Sequence, residues 1–147
     1  MDANLNRVNE DTSRAAEQAG VQLASIEDMV ACLVHAEECT DPGCGADCPH
    51  DADEARWAIL GDPLTVEVRG TWHTPGAVDA CAPYEYKILL CWGGPSVQIV
   101  GELDERNEPY SAKLQYQDWF TAWTNYALTD TEEETLLKYA QQFSFDL

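Results

Sequence analysis

The sequence predicts an α+β fold: helices first, then an antiparallel sheet of about four strands in meander order, then a closing helix. Three observations predict it. Apolar residues recur at helical spacing from Ile26 to Val34, alternate with polar ones between Leu64 and Tyr116, and return to helical spacing from Leu136 to Phe143. At 147 residues, one compact domain is expected. Residues 1–62 form its acidic helical part with a Cys-rich loop, and residues 63–147 form the sheet and the C-terminal helix.

Each element has its own signal. Residues 3–19 are helix-compatible, but Leu5 and Val8 are the large apolar residues before Gly20, so a weak, fraying helix is expected there. Ser25 with Asp28 resembles a capping box opening a second helix, whose apolar face is Ile26, Met29, Val30, Leu33 and Val34 and whose end falls near Glu38. Asp51 is placed to cap a short helix that Gly61-Asp62-Pro63 stops. Leu64, Val66 and Val68 alternate with Thr65, Glu67 and Arg69, the pattern of a strand with one buried face. Tyr84 to Trp92 is nearly all apolar or aromatic and reads as the central strand. Gly93-Gly94-Pro95 is a turn, and a strand follows to about Leu103. The polar segment 104–109 is a second turn, and Ala112, Leu114 and Tyr116 mark the last strand. The aromatic run Trp119, Phe120 and Trp123 is expected to pack against the sheet. Thr131 with Glu134 reads as the cap of the final helix, whose buried side is Leu136, Leu137, Ala140 and Phe143.

Charge narrows function. Twenty-seven Asp/Glu against eight Lys/Arg leave a formal net charge of −19. Such a surface repels nucleic acid and anionic membrane and attracts basic protein surfaces. Residues 1–60 carry thirteen acids and three bases, residues 61–100 four and two, and residues 101–147 ten and three. The flanks therefore make the negative surface. One cluster is Glu37, Glu38, Asp41 and Asp47, followed by Asp51, Asp53 and Glu54. Another is Glu102, Asp104, Glu105 and Glu108. On one continuous face, these carboxylates would stand where phosphates stand in a nucleic acid; on separate faces, they are solvated surface and helix caps.

The longest apolar run, Ile88 to Trp92, is too short to span a bilayer, and the first residues have no basic-then-apolar leader. A cytoplasmic protein is expected, in which structural disulfides are disfavoured. The six cysteines then read as thiols or as a structural zinc site. The zinc candidates are Cys32, His35, Cys39, Cys44, Cys48 and His50, although their spacing matches no standard finger or ribbon. Nothing reads as catalytic. His73 with Asp79 and Cys81 lacks a nucleophile spacing, and Gly93-Gly94-Pro95 has no Lys-Ser/Thr to make a phosphate loop.

Several pieces together resemble a family of small proteins encoded by bacteriophages and prophages: Tyr84-Glu85-Tyr86-Lys87-Ile88-Leu89-Leu90, Gly93-Gly94-Pro95, Ile99-Val100-Gly101-Glu102-Leu103, Glu108-Pro109 and Gln117-Asp118-Trp119-Phe120-Thr121. The resemblance covers roughly residues 64–145. It implies a phage accessory protein and supplies no reaction. A small acidic protein of that kind is similar to anti-defence proteins, of which anti-CRISPR proteins are the best-known class. The expected function is non-catalytic inhibition of a bacterial host's basic nucleic-acid-binding complex, with a CRISPR effector as the expected partner and no direct nucleic-acid binding. The alternatives are a phage interaction protein whose acidity only keeps it soluble, and a small zinc-binding regulatory protein.

Overall fold

The computed structural model describes residues 13–40, 51–70, 72, 74–76 and 82–146. Helix α1 (Arg14–Glu38) opens at Ser13, whose side chain accepts from the Ala16 amide, and it runs straight through Gly20. The expected break and second start at Ser25 do not occur. Ala15, Ala19, Leu23, Ile26, Val30 and Leu33 make one buried stripe along the whole helix. Burying that stripe outweighs the roughly 1 kcal/mol that a mid-helix glycine costs. Gly20 also lies close to the Tyr126 hydroxyl, where a larger residue would crowd the contact. The expected end at Glu38 is found. Helix α2 (Ala52–Leu60) is capped by the Asp51 carboxylate on the Asp53 amide at 2.9 Å and stops at Gly61, as its sequence predicts.

Strands β1 (Thr65–Arg69), β2 (Glu85–Cys91), β3 (Ser96–Glu102), β4 (Lys113–Gln117) and β5 (Thr124–Asn125) pair in sequence order, all antiparallel. The meander and the α+β class are as expected; β5 is an addition. Helix α3 (Asp130–Ala140) closes the chain. Its capping box is Thr129 with Glu132, two residues before the expected pair. The Thr129 hydroxyl accepts from the Glu132 amide, and the Glu132 carboxylate accepts from the Thr129 amide at 2.9 Å.

Register fixes the two faces of the sheet. Ile88, Ile99 and Leu114 sit in one cross-strand row, and Val97 faces Tyr116. All five are buried, under α1, which packs on β3 and β4, and α3, which packs on α1 and β4. One hydrophobic core joins Leu23 and Ile26 of α1, Ile59 of α2, the sheet residues and Leu136 and Tyr139 of α3. The N-terminal and C-terminal regions are thus one packed unit. Strand β1 differs from expectation. Leu64 and Val66 are exposed and Val68 is only half-buried, because α1 lies over the middle of the sheet and leaves this edge strand uncovered.

Candidate functional site

The acidic residues fall into an organised pattern. Helix α1 carries five acids (Glu17, Glu27, Asp28, Glu37, Glu38), α2 with its cap carries three, and α3 carries four. These twelve face three bases, Arg14, Arg56 and Lys138. The opposite, uncovered face of the sheet is balanced. In register there are Glu67, Glu85 and Glu102 with Arg69, Lys87 and Lys113. Among the described residues charge is therefore segregated, with the helical layer holding most of their negative excess.

The last turn of α3 and the residues that follow it contact elements that are far apart in sequence. Lys138 Nζ lies 3.2 Å from Glu37 Oε1 near the end of α1. Arg56 of α2 donates to Gln142 Oε1 at 3.3 Å. Gln141 donates to the Pro109 carbonyl of the β3–β4 turn, and Asn107 of that turn donates to Asp146. The end of α1, α2 and the β3–β4 turn, each bearing acids, accordingly all contact residues 138–146.

Within the clusters the acids have different jobs. Asp51 is a helix cap, and Asp53 pairs with Arg56 at 2.9 Å. Asp104 Oδ1 accepts from the Arg106 and Glu108 amides at 2.8 and 3.0 Å, so it closes the turn. The Glu102 carboxylate accepts from the Tyr84 and Tyr110 hydroxyls. That hydrogen bond from Tyr110, with lesser desolvation and nearby negative charge, pushes the Tyr110 pKa up to about 12. Glu38, Glu54, Glu105 and Glu108 are exposed, with carboxylates available to a partner. Asp41 and Asp47 lie outside the described residues.

The cysteine expectations change. Cys32 is disulfide-bonded, against the expectation of thiols, and its sulfur in that state is no thiolate for zinc. Cys39 is not in a disulfide, and Cys91 is a half-buried free thiol that burial pushes up. His35 is half-buried near the end of α1. Cys44, Cys48, His50, His73, Asp79 and Cys81 lie outside the described residues. Among the described residues, no group of three or more His, Cys, Asp or Glu is arranged to hold a metal. Nor is any helix among them long and apolar enough to cross a membrane.

The aromatic expectation is corrected for Trp119 and Phe120. Trp119 is 66% exposed and Phe120 fully so, and Trp123 is half-buried. The turn that carries them is closed by side chains. Thr121 Oγ1 donates to the Asp118 carbonyl and accepts from the Asp118 amide, both at 3.1 Å, while Gln117 Nε2 donates to the Thr121 carbonyl at 2.8 Å. Phe120 takes φ +63°, a conformation that a bulky side chain adopts only when its surroundings impose it. The Trp119 indole lies over Gly94, where a Cβ would collide with it. Two motifs separated in sequence, 93–95 and 117–121, therefore meet at one end of the sheet, beside exposed Trp92. Aromatic content alone suggested burial; the Asp118–Thr121 turn signal was the clue that pointed the other way.

No family model, curated protein or solved structure matches this chain.

Proposed function

We propose that this chain is a non-catalytic inhibitor that binds a basic, nucleic-acid-handling complex of a bacterial host, acting in the host cytoplasm as a phage anti-defence protein of the anti-CRISPR kind. The single observation that carries the reading is that three elements bearing acidic clusters, α1, α2 and the β3–β4 turn, all contact residues 138–146. Exposed carboxylates on a folded scaffold compete with phosphates for a Lys/Arg groove without any base or sugar. The phage origin rests on the sequence resemblance, and the charge segregation supports the mode of action. Titrating this protein into a crRNA-loaded CRISPR effector, with labelled target DNA as the readout, tests it. Displacement of DNA that weakens steeply with salt is expected. Undisturbed DNA binding at saturating protein refutes the effector as target.

A second reading has its own observation, the exposed Trp92, Trp119 and Phe120. An interaction protein that docks through this apolar end, with acidity serving only solubility, would bind almost independently of salt. Salt dependence separates the two.

A further inference from the structure

The uncovered face of the sheet holds a groove of about 480 Å³, within the usual range for small-ligand sites. The carboxamides of Gln98 and Gln115 line it, and Asn125 continues their row on the next strand. Gln98, Gln115 and Asn125 face one another across β3, β4 and β5. Gln98 Nε2 donates to Gln115 Oε1 at 2.8 Å, and Gln115 Nε2 donates to Asn125 Oδ1 at 2.9 Å. Gln98 is only 6% exposed, yet its Oε1 accepts no hydrogen bond from any described residue. A buried acceptor left in this way costs about 1–3 kcal/mol unless something else supplies a donor. Trp123 and Val100 also line the groove, giving it an apolar wall beside the amides.

The chemistry selects a ligand class. The groove's four charged residues, Glu67, Arg69, Glu85 and Lys87, sum to zero. Arg69 donates through Nε and Nη2 to Glu85 Oε2 at 2.9 and 2.7 Å, and Lys87 stands opposite Glu67 in register. A net-charged ligand therefore gains little. Each primary carboxamide offers both an acceptor oxygen and donor hydrogens. An anion wants donors alone and a cation acceptors alone; a hydroxyl uses both. Neighbouring strands set the amides about 4.8 Å apart, the scale of a single pyranose ring. An indole gives the C–H face of such a ring a surface to lie on. We propose that the groove lined by Gln98, Gln115 and Trp123 binds a neutral saccharide of one or two pyranose units.

The test is an NMR titration of the isotopically labelled full chain with glucose, N-acetylglucosamine, maltose and cellobiose, with glycerol as control. The side-chain amide signals of Gln98, Gln115 and Asn125 and the Trp123 indole N–H should shift together and saturably with at least one sugar. Half-saturation is expected at about millimolar concentration, unchanged by added salt, while glycerol moves them little. Trp123→Ala should weaken the response at least tenfold. Gln115→Ala, a smaller change on the solvent side of the sheet, should do so with the backbone spectrum preserved. The proposal is overturned if no sugar shifts these signals at about 50 mM, if glycerol matches the sugars, or if Gln115→Ala binds as the parent does.

Discussion

Two glycines show how much depends on what a Cβ would meet. At Gly101 it would strike the Ser111 backbone carbonyl and the Tyr86 ring. That ring is buried, and its hydroxyl donates to the same carbonyl at 2.7 Å. Neither neighbour has room to give. Gly101→Ala should therefore lower stability by about 1–3 kcal/mol in urea unfolding. At Gly94 the obstacle is the Trp119 indole, which is largely exposed and free to swing out. Gly94→Ala should cost less than Gly101→Ala but change tryptophan fluorescence, because it unseats that ring. An equal loss in both variants, with unchanged fluorescence, would contradict the assignment. Tyr110 gives a second residue-level expectation. Its pKa is raised to about 12, first by its hydrogen bond to Glu102, against about 10 in the unfolded chain. A raised pKa means that the folded state holds the proton longer, so the contribution is complete below pH 10 and is lost as pH rises through 12. Ultraviolet titration should find late tyrosines, Tyr86 and Tyr139 among them because burial raises both, and Glu102→Gln should bring one of the late group, Tyr110, back toward its ordinary range.

At the scale of elements, the cues with a local mechanism were readable and those decided by tertiary packing were not. Asp51, Gly61 and the alternation through Leu114 and Tyr116 act within a few residues, and the structure uses them as the sequence implies. The run from Tyr84, expected to be the central strand, is instead second in the sheet, and β3 is in the middle. Ser25 with Asp28 is an equally good local cap, but it lies inside α1 because the buried stripe from Ala15 to Leu33 continues past it. The cap of α3 falls at Thr129 and Glu132 because Glu132 is buried there, held by the Thr129 amide. Two adjacent candidate boxes could be separated only by that burial. Thr129→Ala should cost about 1 kcal/mol, typical of a lost N-cap, and lower Tm by about 2–4 °C. Thr131→Ala, at the position favoured by sequence, should cost clearly less. The disulfide at Cys32 was illegible because cysteine spacing does not encode compartment. It also bears on the metal question, since a disulfide consumes two of the six cysteines and takes Cys32 out of the candidate ligands. Protein purified oxidised and without chelator should hold clearly less than one zinc per chain by metal analysis. A stoichiometric zinc that is lost with Cys39→Ser would restore the metal reading.

For the molecule as a whole, the sequence gives the amount of charge but not where it lies. The contacts of residues 138–146 with Glu37, Arg56 and the β3–β4 turn bring flanks separated in sequence to one region. They also show which acids are fair to mutate. Asp104 closes its turn and Glu102 ties two tyrosines, so reversing either would disturb structure along with charge. Glu54, Glu105 and Glu108 are exposed, and their side chains hold no turn or helix end together. The triple variant Glu54→Lys, Glu105→Lys, Glu108→Lys changes net charge by six and should keep the parent's circular dichroism and nearly its Tm. If these carboxylates replace phosphates, the variant should lose most of its ability to displace DNA from the target complex. The parent's affinity should also fall steeply between about 50 and 200 mM salt, as in phosphate recognition. Phe120→Ala serves as the opposing variant, since it removes apolar area and leaves charge unchanged. Under the electrostatic reading, the triple reversal weakens binding far more than Phe120→Ala. Under docking through the aromatic end, the order reverses and salt has little effect. A reversed order with salt-insensitive binding would assign the function to the rings and leave the acidity to solubility.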